Sequence, residues 1–400
     1  MMNNKWTRAA IPALLIHISV GTVYCWSTFK QSIAEQIGMS SFAGGWAFSL
    51  AIFFLGMSAA FAGKFVERDI HKSSLLSCIC FTLGMVGTGL SIQFLSGWLA
   101  MIGIYLSYGV IMGIGLGVGY LTPVKTLMLW FSNNKGLATG ISIMGFGLAK
   151  AIATPIMEWL QRSFGIAPMF IILGIVYFCF MLVGHFLLKK PAGWVEPQDN
   201  NDFNVLSMFR NKQFVGIWLM FFLNIHCGLM IISYEKQILG TVFATSVNLA
   251  LLVSIIPSIT AGFNAFGRIG YSTLSDKLSQ RNYIYFIIFG SCILISGLAT
   301  LFFNSGILIL ISLFIINAGY GGGFSTLPAM LSERFGMQKI SQIHGLALSA
   351  WAIAGLTGNN TSELILNVSN SYINVMFVGF ILYAVAMTIC VLMVGKHKTV

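Results

Sequence analysis

Twelve stretches of this 400-residue chain are each long and apolar enough to cross a bilayer, and that property leaves few folds open. They cover 9–29, 42–62, 73–94, 98–129, 137–159, 167–188, 212–234, 247–274, 283–303, 306–328, 342–362 and 371–394. A helical span needs about 20 apolar residues. Only 8% of the residues are charged and 57% are hydrophobic, whereas soluble chains carry about a quarter charged residues. The expectation is therefore an all-α membrane protein with twelve transmembrane helices.

The net charge of +11 raises the question of nucleic acid as a partner. The placement of the charge argues against it. With both termini in the cytoplasm, sixteen of the 22 Lys and Arg fall on the inner side. Lys30, Arg162 and Lys236 fall outside, and Lys125, Lys150 and Arg268 interrupt apolar segments. This is the positive-inside bias. It predicts a multi-pass protein of a bacterial-type cytoplasmic membrane, with the lipid bilayer as its surroundings. The N-terminus has no cleavable-signal pattern, and the first apolar segment is long enough to stay as a span. The seven cysteines, Cys25, Cys78, Cys80, Cys179, Cys227, Cys292 and Cys390, all sit in apolar segments without CxxC spacing. They read as small packing residues rather than disulfides or metal ligands.

The longest polar interruption, 189–211, contains two prolines, a glycine and mixed charge. It reads as a cytoplasmic linker between two six-helix bundles, 1–188 and 212–400. The halves echo each other. Gly119-Tyr120-Leu121-Thr122-Pro123 in the fourth span is answered by the run from Gly319-Tyr320 through Phe324 to Pro328 in the tenth. Lys135-Gly136-Leu137-Ala138 opens the fifth span, and His344-Gly345-Leu346-Ala347 opens the eleventh. Parallel repeats of this kind place a substrate site near the midplane, between the bundles. Gly109, Gly113 and Gly117 recur every four residues, as do Gly115 and Gly119, a spacing that lets helix backbones approach closely. A nucleotide-loop reading of these glycines fails, because they lie in an apolar helix with no preceding strand.

The stretch 113–140, GIGLGVGYLTPVKTLMLWFSNNKGLATG, is the most specific in the chain. It closely resembles the helix 4–5 segment of the oxalate/formate antiporter family, within the major facilitator superfamily. The resemblance extends to Gly21–Ser27, Pro191–Trp194, Trp218–Asn224, Gly267-Arg268 with Ser275-Asp276, and Tyr320–Pro328. It implies the major facilitator fold and secondary-active transport by alternating access. Gly63 to Lys72 looks like the superfamily's cytoplasmic gating loop, with Gly63, Glu67 and Arg68 as its charge latch and Asp276 at the exit of the eighth helix. Ile70 and His71 stand where glycine and arginine are expected, which would weaken that latch; the alternative is a solvated basic loop that only sets topology.

Arg268 is the sharpest residue. It lies eight positions before Asp276, roughly 12 Å along a helix. A mid-membrane arginine costs ~2.5–3.5 kcal/mol on insertion scales, and its planar fork matches a carboxylate. In the resembling family, and in the related monocarboxylate transporters, an arginine here binds the substrate carboxylate. The alternative is a structural pairing with a buried acid or with helix carbonyls. The oxalate carrier also uses a lysine in the eleventh helix, where this chain has Trp351. That puts oxalate in doubt and favours a monocarboxylate. Lys150, on one helical stripe with Phe146 and Ser142, is a candidate second cation from the opposite bundle, or else a water-exposed lysine of the entry path. Tyr24, Tyr120, Tyr320, Phe324 and Trp351 are candidate aromatic walls of the cavity, with the resemblance supporting Tyr120, Tyr320 and Phe324 most directly. His226, beside Asn224 in the seventh span, is a proton-coupling candidate or a packing histidine. His17 has a weaker claim, and Lys125 is expected to reach the cytoplasmic interface.

These features predict a transporter of a small organic anion such as formate, lactate or pyruvate, acting by antiport or proton symport. Alternatives are an oxalate/formate exchanger and a transporter-like carboxylate receptor without net flux. Clustered polar residues for an enzyme in the membrane, metal ligands, and motifs for a cofactor are not found. A monomer is expected.

Overall fold

The computed structural model describes residues 4–194, 204–244 and 248–395. The middle of the expected linker, 195–203, and the C-terminal lysines 396 and 398 lie outside the described residues. Twelve long helices follow one another: α1 (Trp6–Ile37), α2 (Ser41–Arg68), α3 (Ile70–Phe94), α4 (Gly97–Trp130), α5 (Lys135–Phe164), α6 (Ile166–Leu187), α7 (Lys212–Ile232), α8 (Leu249–Ser275), α9 (Tyr283–Leu301), α10 (Gly306–Phe335), α11 (Ile340–Ser369) and α12 (Tyr372–Val394). A short helix, Glu235–Val242, lies between α7 and α8.

Several helices outrun their apolar segments. Helix α1 continues to Ile37 and α11 spans Ile340–Ser369. Polar residues at a helix end leave the backbone ladder intact, so hydropathy marks the hydrocarbon-spanning part and not the helix. Eleven helices among the described residues are apolar enough to cross a membrane by composition. Helix α11 is the twelfth by length; it carries Asn359, Asn360 and Glu363 and packs along α2 and α7.

Neighbouring helices change direction at short caps. The Asp69 carboxylate accepts from the amides of His71 and Lys72 at 2.9 Å and starts α3. The Asn211 side chain does the same for Gln213 and Phe214 at the start of α7. Both are side-chain acceptors satisfying orphan N–H groups. The start of α1 and the ends of α4 and α6 share one end of the molecule, where Lys189 N–H donates to Arg8 O and Trp130 Nε1 donates to Lys189 O. Arg334, near the end of α10, donates to Val394 and Gly395 O at the end of α12. The start of α1 and the end of α12 are thus each tied to neighbouring helix ends.

The glycine stripes of α4 serve two neighbours. A Cβ at Gly113 or Gly117 would run into α2, at Ala51 and Leu55, while one at Gly115 or Gly119 would run into α3, at Phe81 and Ser77. Missing side chains thus let α4 wedge between α2 and α3. On the outside, Phe61, Phe94, Phe186, Phe266, Leu294 and Leu392 are exposed, an apolar belt suited to lipid.

Candidate functional site

Helices α2 and α11 make the most extensive pairing in the molecule, and α5 packs along α8. These two pairs join the first six helices to the last six. At the terminal end each pair closes on a carboxylate. Glu67, in the last turn of α2, accepts from the Ser341 amide at 3.0 Å and from Gln342 Nε2 at 2.6 Å, at the start of α11. Asp276, just past α8, accepts from the Gly136 and Leu137 amides at 2.9 and 2.8 Å, at the start of α5. A carboxylate on a helix N-terminus satisfies orphan donors and the positive end of the dipole together. Each acid has a cation behind it: Lys125 lies 3.8 Å from Glu67, and Arg281 bonds both Asp276 and Glu333. Gly63 lets α11 approach, since a Cβ there would overlap Gln342. Lys125 is thus buried against Glu67 at the terminal end. Arg68 is exposed at the end of α2.

Two turns deeper along α8 lies Arg268, fully buried. Its Nε donates to Asn264 Oδ1 at 2.9 Å, one helical turn away, and Nη1 donates to the Ile143 carbonyl of α5 at 3.2 Å. Asn264 therefore aims the guanidinium across the interface between the halves. The guanidinium carbon sits 5.8 Å from the Phe146 ring centre and 5.2 Å from that of Phe324, within cation–π range. Nη2 makes no well-aligned hydrogen bond among the described residues, and the Tyr24 hydroxyl lies beside the guanidinium.

Aromatic rings close around this group. Trp351 meets Phe324 at 4.6 Å and both Phe146 and Tyr120 at 5.5 Å, edge to face. Tyr320 meets Phe324 at 5.1 Å, and Tyr24 meets Phe146 at 5.4 Å. The hydroxyls of Tyr24 and Tyr320 pair at 3.0 Å, from α1 to α10. A tight 3₁₀ turn, Thr22–Cys25, carries Tyr24; Gly21 just before it lies against the Phe146 carbonyl with no room for a Cβ. Tyr120 contacts His344 on one side and His17 on the other, at 6.1 and 5.2 Å. His17 directs Nε2 at the Tyr120 carbonyl, 3.1 Å away, and Nδ1 at the Ser142 carbonyl. Among the described residues, four more buried polar atoms here have no partner: Tyr120 Oη, Trp351 Nε1, His344 Nε2 and Oδ1 of Asn224, whose Nδ2 donates to the Tyr320 carbonyl. No carboxylate takes part in any of these contacts.

Arg268, Tyr24, Tyr120, Tyr320, Phe324 and Trp351 are thus brought together. Lys150 stands one turn beyond Phe146 on α5, outside that group, and donates to Ser27 Oγ at 3.3 Å. His226 is also apart: its Nδ1 lies 3.0 Å from Thr357 Oγ1. That contact is one rung of a polar ladder between α7 and α11, with Trp218–Ser349, Ser233–Asn359 and Ser362–Met230 as others. Sequence reasoning gave Asn264 and His344 no place in the site. Asn264 had a readable signal, its position four residues before a mid-span arginine. His344 had none, because only the crossing of α4 and α11 sets it on Tyr120.

A candidate site buried between the first six and the last six helices, with the terminal end shut beneath it, fits a membrane transporter. A family model described as Major Facilitator Superfamily matches residues 13–359. The chain belongs to that superfamily and is a multi-pass membrane transporter, not an enzyme. Among its relatives, the oxalate:formate antiporter of Oxalobacter formigenes is 23% identical over 377 residues, covering 91% of this chain and 86% of that protein. Monocarboxylate transporter 4 of Rattus norvegicus is 23% identical over 368 residues, covering 86% and 74%. Among solved structures, a bacterial homologue of the iron transporter ferroportin in an outward-facing state superposes with a TM-score of 0.75, at 13% identity, over 96% of this chain and 98% of that one. That likeness bears on the fold alone.

Proposed function

We propose that the protein carries a small monocarboxylate, such as formate, lactate or pyruvate, across a bacterial cytoplasmic membrane. One observation carries this reading. Four buried polar atoms without a well-aligned partner among the described residues, Arg268 Nη2, Tyr120 Oη, Trp351 Nε1 and His344 Nε2, belong to one aromatic-walled layer between the halves. One carries a fixed positive charge, and Tyr and Trp supply neutral donors. No acid offsets the charge within the layer's contacts. Such a set suits a small planar anion: a guanidinium for the carboxylate, hydroxyl and indole donors beside it, and ring faces to exclude water. A buried donor without a partner costs about 1–3 kcal/mol, which an anion would recover on binding.

The relatives point the same way, one being an antiporter of oxalate and formate and another a monocarboxylate transporter. With a single guanidinium in the layer and Trp351 in the eleventh helix, one carboxylate is matched better than two. The halves 1–188 and 212–400, joined by 189–211, would rock about the layer. Glu67 and Asp276 would hold the terminal end shut in this state and release it in the other. The positive-inside bias makes that end cytoplasmic. His226, set in the α7–α11 ladder, fits a packing role.

The test is counterflow in proteoliposomes with labelled formate, lactate, pyruvate and oxalate. Saturable exchange of at least one monocarboxylate is expected, and exchange of oxalate in preference to all three would overturn the monocarboxylate assignment. Binding of these anions without exchange would mark a receptor instead.

A further inference from the structure

The far end of the molecule, opposite the chain termini, holds a buried acid that the anion layer does not use. Glu235 opens the short helix after α7, at the point where the chain breaks at Ser233 and Tyr234. It is 5% exposed, and its Oε1 has no hydrogen-bond partner among the described residues. A buried carboxylate left so poorly bonded is costly when ionised.

Its charged neighbours are few. Lys150 of α5 acts on it from the opposite half, and Lys236 from its own helix. Thr260 of α8 offers a hydroxyl. The short helix packs on α8 and α10; their facing stretches, 249–264 and 306–318, contain no acidic, basic, His, Cys or Tyr residue. Tyr234, next to it, turns its ring toward Tyr372, 6.3 Å away. Glu235 thus lies in the field of two lysines, Lys150 from the opposite half and Lys236 from its own helix, and Lys150 sits one helical turn from Phe146 of the anion layer.

We propose that Glu235 is the proton-binding site of the transport cycle, and that Lys150 links it to the anion. The inference rests on the anion reading above. With Glu235 ionised, its charge offsets part of the positive charge of Lys150 and Lys236 and weakens the pull of Lys150 on an anion. When Glu235 takes a proton from water at the far end, Lys150 loses its counter-charge one turn from the anion layer. An anion then restores neutrality. Proton and anion load together and leave together, as a net neutral pair, with no bond made or broken except the carboxyl O–H. Burial pushes the Glu235 carboxyl up to about 7, with Thr260, Lys150 and Lys236 pulling the other way. The group is therefore neutral below that pH and ionised above it, so it changes charge in the range a membrane faces.

Two measurements test this. In proteoliposomes, labelled pyruvate uptake is followed under an inward proton gradient and in counterflow at equal pH, with protein-free liposomes subtracted. Wild type is expected to accumulate pyruvate several-fold under the gradient. Glu235→Gln, which imitates the neutral carboxyl, should keep counterflow within about two-fold and lose the gradient response; Lys150→Met should lose it too. Gradient-driven accumulation by Glu235→Gln at the wild-type level would overturn the proposal. So would wild-type counterflow that ignores the gradient, which leaves the anion reading intact. If no carboxylate is exchanged at all, the anion reading falls, and the coupling with it. Infrared titration of the reconstituted protein reads the carboxyl without transport. A protonated-carboxyl band that fades near neutral pH in wild type and is missing in Glu235→Gln supports the site; no such difference overturns it.

Discussion

The two halves meet at the terminal end in the same way and at the midplane in different ways. Glu67 caps α11 as Asp276 caps α5. Four residues further along each capped helix, a glycine sits on the facing backbone: Gly345 against Ala59, and Gly140 against Arg268. Counting back eight from each acid gives the same pair, Ala59 in one half and Arg268 in the other. Asn264 likewise answers Leu55. The closing contacts are made by a carboxylate, backbone amides and missing side chains, and these repeat. At the midplane the two copies differ: Asn264 and Arg268 stand in one where Leu55 and Ala59 stand in the other. A carrier that rocks as proposed would need matched gates, while the proposed small anion would need only one guanidinium.

The largest effect should come from the unmatched position. Arg268→Gln is expected to lower carboxylate exchange by at least 10–100-fold, since charge-assisted hydrogen bonds contribute about 1.5–3 kcal/mol each, with normal levels in the membrane. Counterflow and quantitative immunoblotting check this together. Wild-type exchange in the variant would reduce the asymmetry to a packing detail.

Next in size is a change of selectivity. Trp351→Lys should shift preference toward oxalate by about 10-fold relative to a monocarboxylate, by supplying a second cation across the layer from Arg268. Trp351→Phe controls for the lost indole, and should weaken all anions alike. An unchanged oxalate-to-formate ratio in Trp351→Lys would show that the eleventh helix does not set the charge preference.

The matched gates should respond as a matched pair. Losing an N-terminal cap costs about 0.5–2 kcal/mol, so Glu67→Gln and Asp276→Asn should each open the terminal end several-fold more often. Labelling of a single cysteine placed at Gln342 or Lys135 reads this. An effect at one acid only would break the symmetry on which the comparison rests.

How much of this was legible in the sequence follows the same division. The twelve spans were readable because hydrocarbon demands long apolar runs, and Arg268 because a charge in such a run is conspicuous. The repeat made Tyr120, Tyr320 and Phe324 readable, and the superfamily model and the fold bear out the family expectation. The substitutions at Ile70 and His71 suggested a weakened latch, yet the contact with α11 is made by Glu67 on amide groups. Backbone N–H groups some 270 residues away leave no mark in a sequence. Asn264 and His344 were passed over for a related reason. A polar residue in a helix takes its meaning from what the neighbouring helix sets beside it.

The smallest effect should come from Tyr24→Phe. Tyr24 and Tyr320 share the hydroxyl contact that joins α1 to α10 above Arg268. A neutral hydrogen bond contributes about 0.5–1.5 kcal/mol, so losing it should change the balance between closed and open states by about 2–10-fold while the ring still packs on Phe146. Tyr320→Phe should match it, and the double variant should add little, because each single change already removes the same bond. Exchange rates at saturating anion check the cycle. If the two single variants differ widely, the hydroxyls act separately, one of them on the anion, and the contact is then part of the site rather than a tie between the halves.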